Sequence, residues 1–248
     1  LATLAETFDQ RTGTKFRERA FYTVMSGVFL VIVFVGFSRT WFLRPYFHTQ
    51  APPLVPLLIL HGSLFTSWIA LFLIQTSLVA SKRTRIHRKV GVAGGVLAAL
   101  MVIVGTITGI VRAKLVAPPP GFSSGLTFLT IPLGDVLVFG ILVAAAIIYR
   151  NRIDIHKRLM VIATITLMPA AVARFPGSFF EQGGPLVFFG IPDLLLLPMI
   201  IFDIVTRGRP HRATILGGAL LVISHIVRVP LGTTHAWLSF ASWITQWS

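Results

Sequence analysis

The chain has 248 residues, of which 54% are hydrophobic and 12% charged, about half the roughly 25% charged share of a soluble domain, and its mean hydropathy is +0.82. A formal charge of +14 invites a nucleic-acid partner, but the basic residues stand in short clusters between apolar runs, the pattern of membrane-protein loops, so nucleic acid is set aside. The absence of cysteine excludes disulfides, thiolate nucleophiles, cysteine-ligated metal centres and covalently attached haem, leaving His, Asp, Glu, Met or backbone to hold any metal.

An apolar stretch needs about 20 residues to cross the ~30 Å hydrocarbon core, and seven stretches qualify, at 21–43, 54–80, 90–111, 128–149, 159–175, 186–206 and 213–231. The expected fold is all-α: a cytoplasmic N-terminal segment over 1–20, a bundle of seven transmembrane helices over 21–232, and a tail over 233–248 on the opposite face. The first run follows Arg11, Lys15, Arg17 and Arg19, matches a full span and has no small-residue cleavage site at its end, so it reads as an uncleaved helix. Arg39 stands near its outer end. The second run carries His61 about 10 Å below the outer boundary, counting ~1.5 Å per residue.

The third run opens on Ile86-His87-Arg88-Lys89, contains the G-x-x-x-G pairs Gly91/Gly95 and Gly105/Gly109, which predict close helix packing and a central position, and ends near Arg112. The fourth carries Asp135. The fifth opens on Ile155-His156-Lys157-Arg158, contains Pro169 and ends near Arg174; the sixth holds Asp193 and Pro198, and both prolines predict kinks. The seventh opens on Pro210-His211-Arg212 and carries His225 and Arg228. In the tail, Trp237, Phe240, Ile244 and Trp247 recur at helical spacing opposite Ser239, Ser242, Thr245 and Gln246, which predicts an amphipathic helix on the outer surface.

Sixteen of the 22 Lys and Arg residues fall on the side of the N-terminus, which by the positive-inside rule places that side in the cytoplasm of a cell membrane. The histidine-plus-basic openings of runs three, five and seven suggest one leading helix followed by three hairpins. The plainer reading of those openings is that they anchor helix ends at the headgroups.

Ionisable side chains in hydrocarbon are costly, so their depth is informative. His61, Asp135, Asp193 and His225 come out within about a turn of one level, beneath Arg39, Arg112, Arg174 and Arg228. Turned inward, they predict a polar chamber with an excess of positive charge, suited to an anionic group such as a carboxylate, phosphate or haem propionate. The competing expectation is a set of separate pairs, Asp135 with Arg112 and Asp193 with Arg174, that fix helix register.

Retinal is excluded because its Schiff base needs a lysine in the last span and no lysine follows Lys157. A metal held by the two histidines and two carboxylates of this level has no H-x-x-x-H or E-x-x-H spacing behind it. Haem b needs two histidines on facing helices at one depth, and His61 with His225 or His87 with His156 would supply them. The segments Leu60-His61-Gly62, Trp68, His87-Arg88-Lys89-Val90-Gly91 and His156-Lys157-Arg158-Leu159-Met160 resemble an uncharacterised family of multi-pass bacterial membrane proteins and, more widely, b561-type cytochromes. That resemblance implies His87 and His156 as an axial pair; run four has no histidine to partner His61, so a second haem would need His225.

The expected function is a membrane redox or cofactor-binding protein that holds haem b or a quinone-like amphiphile between helices. Its cofactor contacts would come from His61, His87, His156, His225, Asp135, Asp193, Arg39, Arg174 and Arg228, with the four histidines as metal ligands. The alternative is a non-enzymatic accessory subunit of a larger membrane complex that binds lipids. A transporter is a third reading, without the paired unwound segments such proteins show.

Overall fold

The structure, a computed structural model, describes residues 2–47, 54–115 and 117–246, with side chains from residue 17 onward apart from residue 181. Trp247 and the side chains of Arg11 and Lys15 lie outside the described residues. The protein is all-helical, and seven helices are long and apolar enough to span a membrane: α1 (Arg17–Phe42), α2 (Pro56–Ala80), α3 (Thr84–Arg112), α4 (Gly125–Ile148), α5 (Ile153–Val172), α6 (Gly184–Arg207) and α7 (Arg212–Leu231). A shorter helix, α8 (His235–Ile244), follows. Regular helix runs unbroken over Ala2–Phe37, through the expected 1–20 segment, and closes in a π-helical turn at Ser38–Phe42.

Three spans are interrupted, each where a proline dictates it. Proline lacks an amide hydrogen and its ring crowds the carbonyl four residues earlier, so the helix parts there. Pro169 acts on Ile165, where regular helix ends before resuming at Met168. Pro198 acts on Leu194, and helix resumes at Leu196. Pro132 does the same to Phe128, separating the turn Gly125–Phe128 from Thr130–Ile148, a break the sequence reading had not singled out.

The helix at the centre is α5, not α3 as its glycines suggested. In its most apolar window 72% of residues are buried, against 22% for α3. The reason is side-chain size: Ala163, Thr164, Thr166 and Ala171 let neighbours approach closely. A Cβ added at Gly36 of α1 would overlap the Ala171 backbone. The α3 glycines do serve packing, but sideways: Gly105 meets Val136 of α4 and Gly91 meets Gln75 of α2. The other side of α3 exposes Val92, Val96, Ile103 and Ile107 at helical spacing, as a lipid-facing surface requires.

Phe29, Met101, Phe139, Ile162, Ile165 and Met168 fill the core without solvent exposure. Trp68 packs edge-on to Phe139 and its indole nitrogen donates to Thr164 Oγ1 at 3.3 Å, tying α2 to α5. The tail is docked as well as amphipathic: Trp237 Nε1 donates to the Leu126 carbonyl at 2.9 Å, Lys114 Nζ donates to the Thr245 carbonyl at 2.6 Å, and Ala241 is buried while Trp243 is exposed.

Candidate functional site

Residues three apart on a helix share a face, and α7 uses this to turn His225 and Arg228 into the bundle, where they retain 3% and 4% exposure. Arg228 forms an ion pair with Asp135 of α4, donates Nε to Ser224 Oγ at 2.9 Å and Nη1 to the Ile131 carbonyl at 3.4 Å. Gly134 makes this possible, since a Cβ there would come within 2.7 Å of Arg228 Cδ and Cζ. His225 Nδ1 lies 2.9 Å from Asp193 Oδ1 of α6. Phe189, one turn before Asp193, stacks on the His225 ring with centroids 4.2 Å apart, and its ring also faces the Arg228 guanidinium.

Donation from Nδ1–H to the carboxylate fixes the tautomer, so that in the neutral imidazole the lone pair is on Nε2. That Nε2 and Arg228 Nη2 are buried without a hydrogen-bond partner among the described residues. Leaving such groups unmatched costs about 1–3 kcal/mol each, more for a charged one. One face of α7 therefore presents an unsatisfied proton acceptor one helical turn from an unsatisfied charged donor. Beside them, Phe122, Ile131, Phe188 and Phe189 form a small, separate buried cluster with Phe128 and Val229 packed on it.

Three of the four groups expected in one layer, Asp135, Asp193 and His225, thus meet, together with Arg228. His61 shares no hydrogen bond or ion pair with them among the described residues: it stacks on Phe65 within α2 at 4.2 Å, and its buried Nδ1 has no partner among those residues. Arg39 lies over Phe47, and Arg174 lies over Phe37 at 4.9 Å and donates to the Ala170 carbonyl, so neither arginine lines the node. The expected register pairs are also replaced. Asp135 takes Arg228 rather than Arg112, and Asp193 takes His225 rather than Arg174; α3 packs on α4 as α7 does, and it is Gly134 that leaves room for the Arg228 guanidinium.

At the opposite ends of the helices, His87 of α3 and His156 of α5 come together, edge to face with centroids 6.4 Å apart. His156 Nδ1 lies 2.8 Å from the Ala146 carbonyl and must donate to it, leaving the Nε2 lone pair free, as carbonyl-held histidine ligands do. With the Gln75 amide turned so that its oxygen accepts from Gly91 N at 2.9 Å, its nitrogen donates to His87 Nδ1 at 2.6 Å, which puts the His87 proton on Nε2. His156 thus offers an Nε2 lone pair in the neutral ring, whereas His87 could offer one only if its proton moved to Nδ1 and the Gln75 donation were lost. His211, the third of the expected anchors, caps α7 instead, its Nδ1 accepting from Ala213 N at 3.0 Å while Nε2 donates to Asp154 at 3.0 Å.

The sequence reading missed the best-satisfied ion pair. Arg158, expected to reach the headgroups, is 1% exposed and pairs with Asp203 of α6, with Nε at 3.0 and 3.3 Å from the two carboxylate oxygens. Asp203 also accepts from Thr214 Oγ1 at 2.6 Å and His211 N at 3.1 Å, and Arg158 Nη1 donates to the Asp154 carbonyl at 2.8 Å. An acidic residue inside the sixth apolar run was the available signal. Lys157, beside it, pairs with Glu18 of α1 in a partly buried setting.

Among the described residues no group of three or more His, Cys, Asp or Glu is arranged to hold a metal ion. Fold and site together define a polytopic membrane protein with a buried, incompletely satisfied polar node among three spans. Compared with protein-family models, curated proteins and solved structures, the chain matches none.

Proposed function

We propose that the protein binds the ring of a quinone-like amphiphile at the α4/α6/α7 node and exchanges a proton with it through His225. The observation that carries this reading is the pair of buried, unpartnered nitrogens, His225 Nε2 and Arg228 Nη2. A quinone carbonyl accepts from Arg228, and a quinol hydroxyl donates to His225. Asp193, bonded to the far nitrogen of the ring, stabilises the imidazolium that results from proton uptake. Arg228 is already matched by Asp135, so the head need not carry a full negative charge, unlike the anion expected from counting arginines. The basic face, which holds the N-terminal end of α1, is read as cytoplasmic, and the node then lies toward the outer leaflet.

Titration of the purified protein with a short-chain benzoquinone, followed by quenching of tryptophan fluorescence, tests this. His225→Phe keeps a ring to stack on Phe189 but removes both nitrogens, and the expected result is a tenfold or greater loss of affinity. Unchanged affinity overturns the assignment.

A second reading rests on a different observation, the juxtaposition of His87 and His156 with the His156 tautomer fixed by Ala146. In it, these two side chains hold haem b, which supplies one-electron transfer when bound. A Soret band in the purified protein that is lost in His156→Ala supports it, and a colourless preparation eliminates it.

A further inference from the structure

On the basic face, between the start of α5 and the turn from α6 to α7, lies a cleft of about 490 Å³. Arg207, Arg209 and Arg212 converge on it, with Tyr149, Leu159 and Leu216 among its walls. We infer that this cleft is a binding site for the phosphodiester headgroup of an anionic phospholipid.

The charge balance is the first support. Two carboxylates stand close to the cleft, and both are already engaged: Asp203 is held by Arg158, Thr214 and the His211 amide, and Asp154 by the His211 ring. No ion pair is formed by the three arginines among the described residues, so they present an uncompensated positive site. Guanidinium groups match phosphate oxygens through paired N–H donors, and basic pockets between spans at a membrane face suit lipid headgroups.

The shape is the second support. Leu216 lies one turn into α7 from Arg212 and is 70% exposed, so an apolar surface continues from the arginines toward the hydrocarbon layer. Tyr149 stands at the end of α4, the depth at which an amphipathic ring meets the headgroups. A diester whose acyl chains run down past Leu216 fills both parts of the cleft, whereas a free phosphate ion uses only the upper one.

Native mass spectrometry of the full chain in mild detergent, supplemented with either phosphatidylglycerol or phosphatidylcholine, tests the inference. Wild type is expected to retain phosphatidylglycerol at least fivefold over phosphatidylcholine. Arg207→Gln/Arg209→Gln/Arg212→Gln removes the preference, while Arg83→Gln/Arg85→Gln, which removes charge from the same face outside the cleft, leaves it intact. Arg209→Gln alone, on the turn before α7, halves the preference or more and covers the case in which the triple variant does not fold.

Equal retention of the two lipids by wild type overturns the inference, as does an equal loss in the Arg83/Arg85 variant, which would mark general attraction to anionic surfaces. An inorganic phosphate arm separates the two sources of the same chemistry. Excess phosphate is expected not to displace phosphatidylglycerol. Arginine-dependent phosphate binding without lipid preference assigns the cleft to a soluble ion and refutes the lipid.

Discussion

Asp203→Asn leaves the Arg158 guanidinium buried and short of its counter-charge. Arg158 is 1% exposed, so water cannot replace the carboxylate. Removing one partner of a buried pair costs about 3–5 kcal/mol. At roughly 2–4 °C per kcal/mol for a chain of this size, the midpoint of thermal unfolding should fall by roughly 6–20 °C. Arg158→Met/Asp203→Leu removes both charges and should recover most of that loss. It should not recover all of it, because Thr214 Oγ1 and the His211 amide also lose their acceptor, at about 1 kcal/mol each. Differential scanning fluorimetry of the detergent-solubilised protein, with size-exclusion as a check on folding, reads the cycle. A midpoint for Asp203→Asn within 2 °C of wild type, taken as about the smallest resolvable change, would refute the reasoning, as would a double variant no more stable than the single one.

Three other outcomes follow from the packing and the node. Gly134→Ala should push the guanidinium away from Asp135 and destabilise by about 1–3 kcal/mol, whereas Gly140→Ala, whose new methyl meets only the end of Val102, should cost less; thermal midpoints of the two compare them directly. Glu18→Gln should cost about 1 kcal/mol, less than Asp203→Asn in the same assay, because the Lys157 pair keeps 19% and 33% exposure and water can partly replace the lost partner. Asp193→Asn keeps the shape of the node but removes the charge that supports an imidazolium, so it should weaken benzoquinone binding several-fold with little change in the thermal midpoint; equal loss of both would reduce Asp193 to a packing role.

The seven spans and two of the three proline breaks were legible because hydropathy and the clash with the carbonyl four residues earlier are local properties. Partner choice was not. In a bilayer the lipid side and the protein side of a helix are both apolar, so periodicity does not announce the inward face. Asp135 could thus be matched by depth to several arginines, and since both α3 and α7 pack on α4, it is the space left by Gly134 that admits Arg228. Arg158 was misread for a related reason. Its neighbours Arg150, Arg152 and Lys157 belong to the basic face, and the helical phase that carries Arg158 alone inward shows only once α5 is known to start at Ile153. His61 and His225 were matched by depth, but α2 packs on α1 and α3 whereas α7 packs on α4, α5 and α6, and depth without azimuth does not make a site.

Quinone content is the most direct measure of the proposed role. The protein is purified from its own membranes in mild detergent, extracted with organic solvent, and the quinone counted per chain beside His225→Phe. About one quinone per wild-type chain, with the variant largely emptied, is the expected result. A quinone-free wild type, or equal quinone in the two, would contradict the assignment of the α4/α6/α7 node.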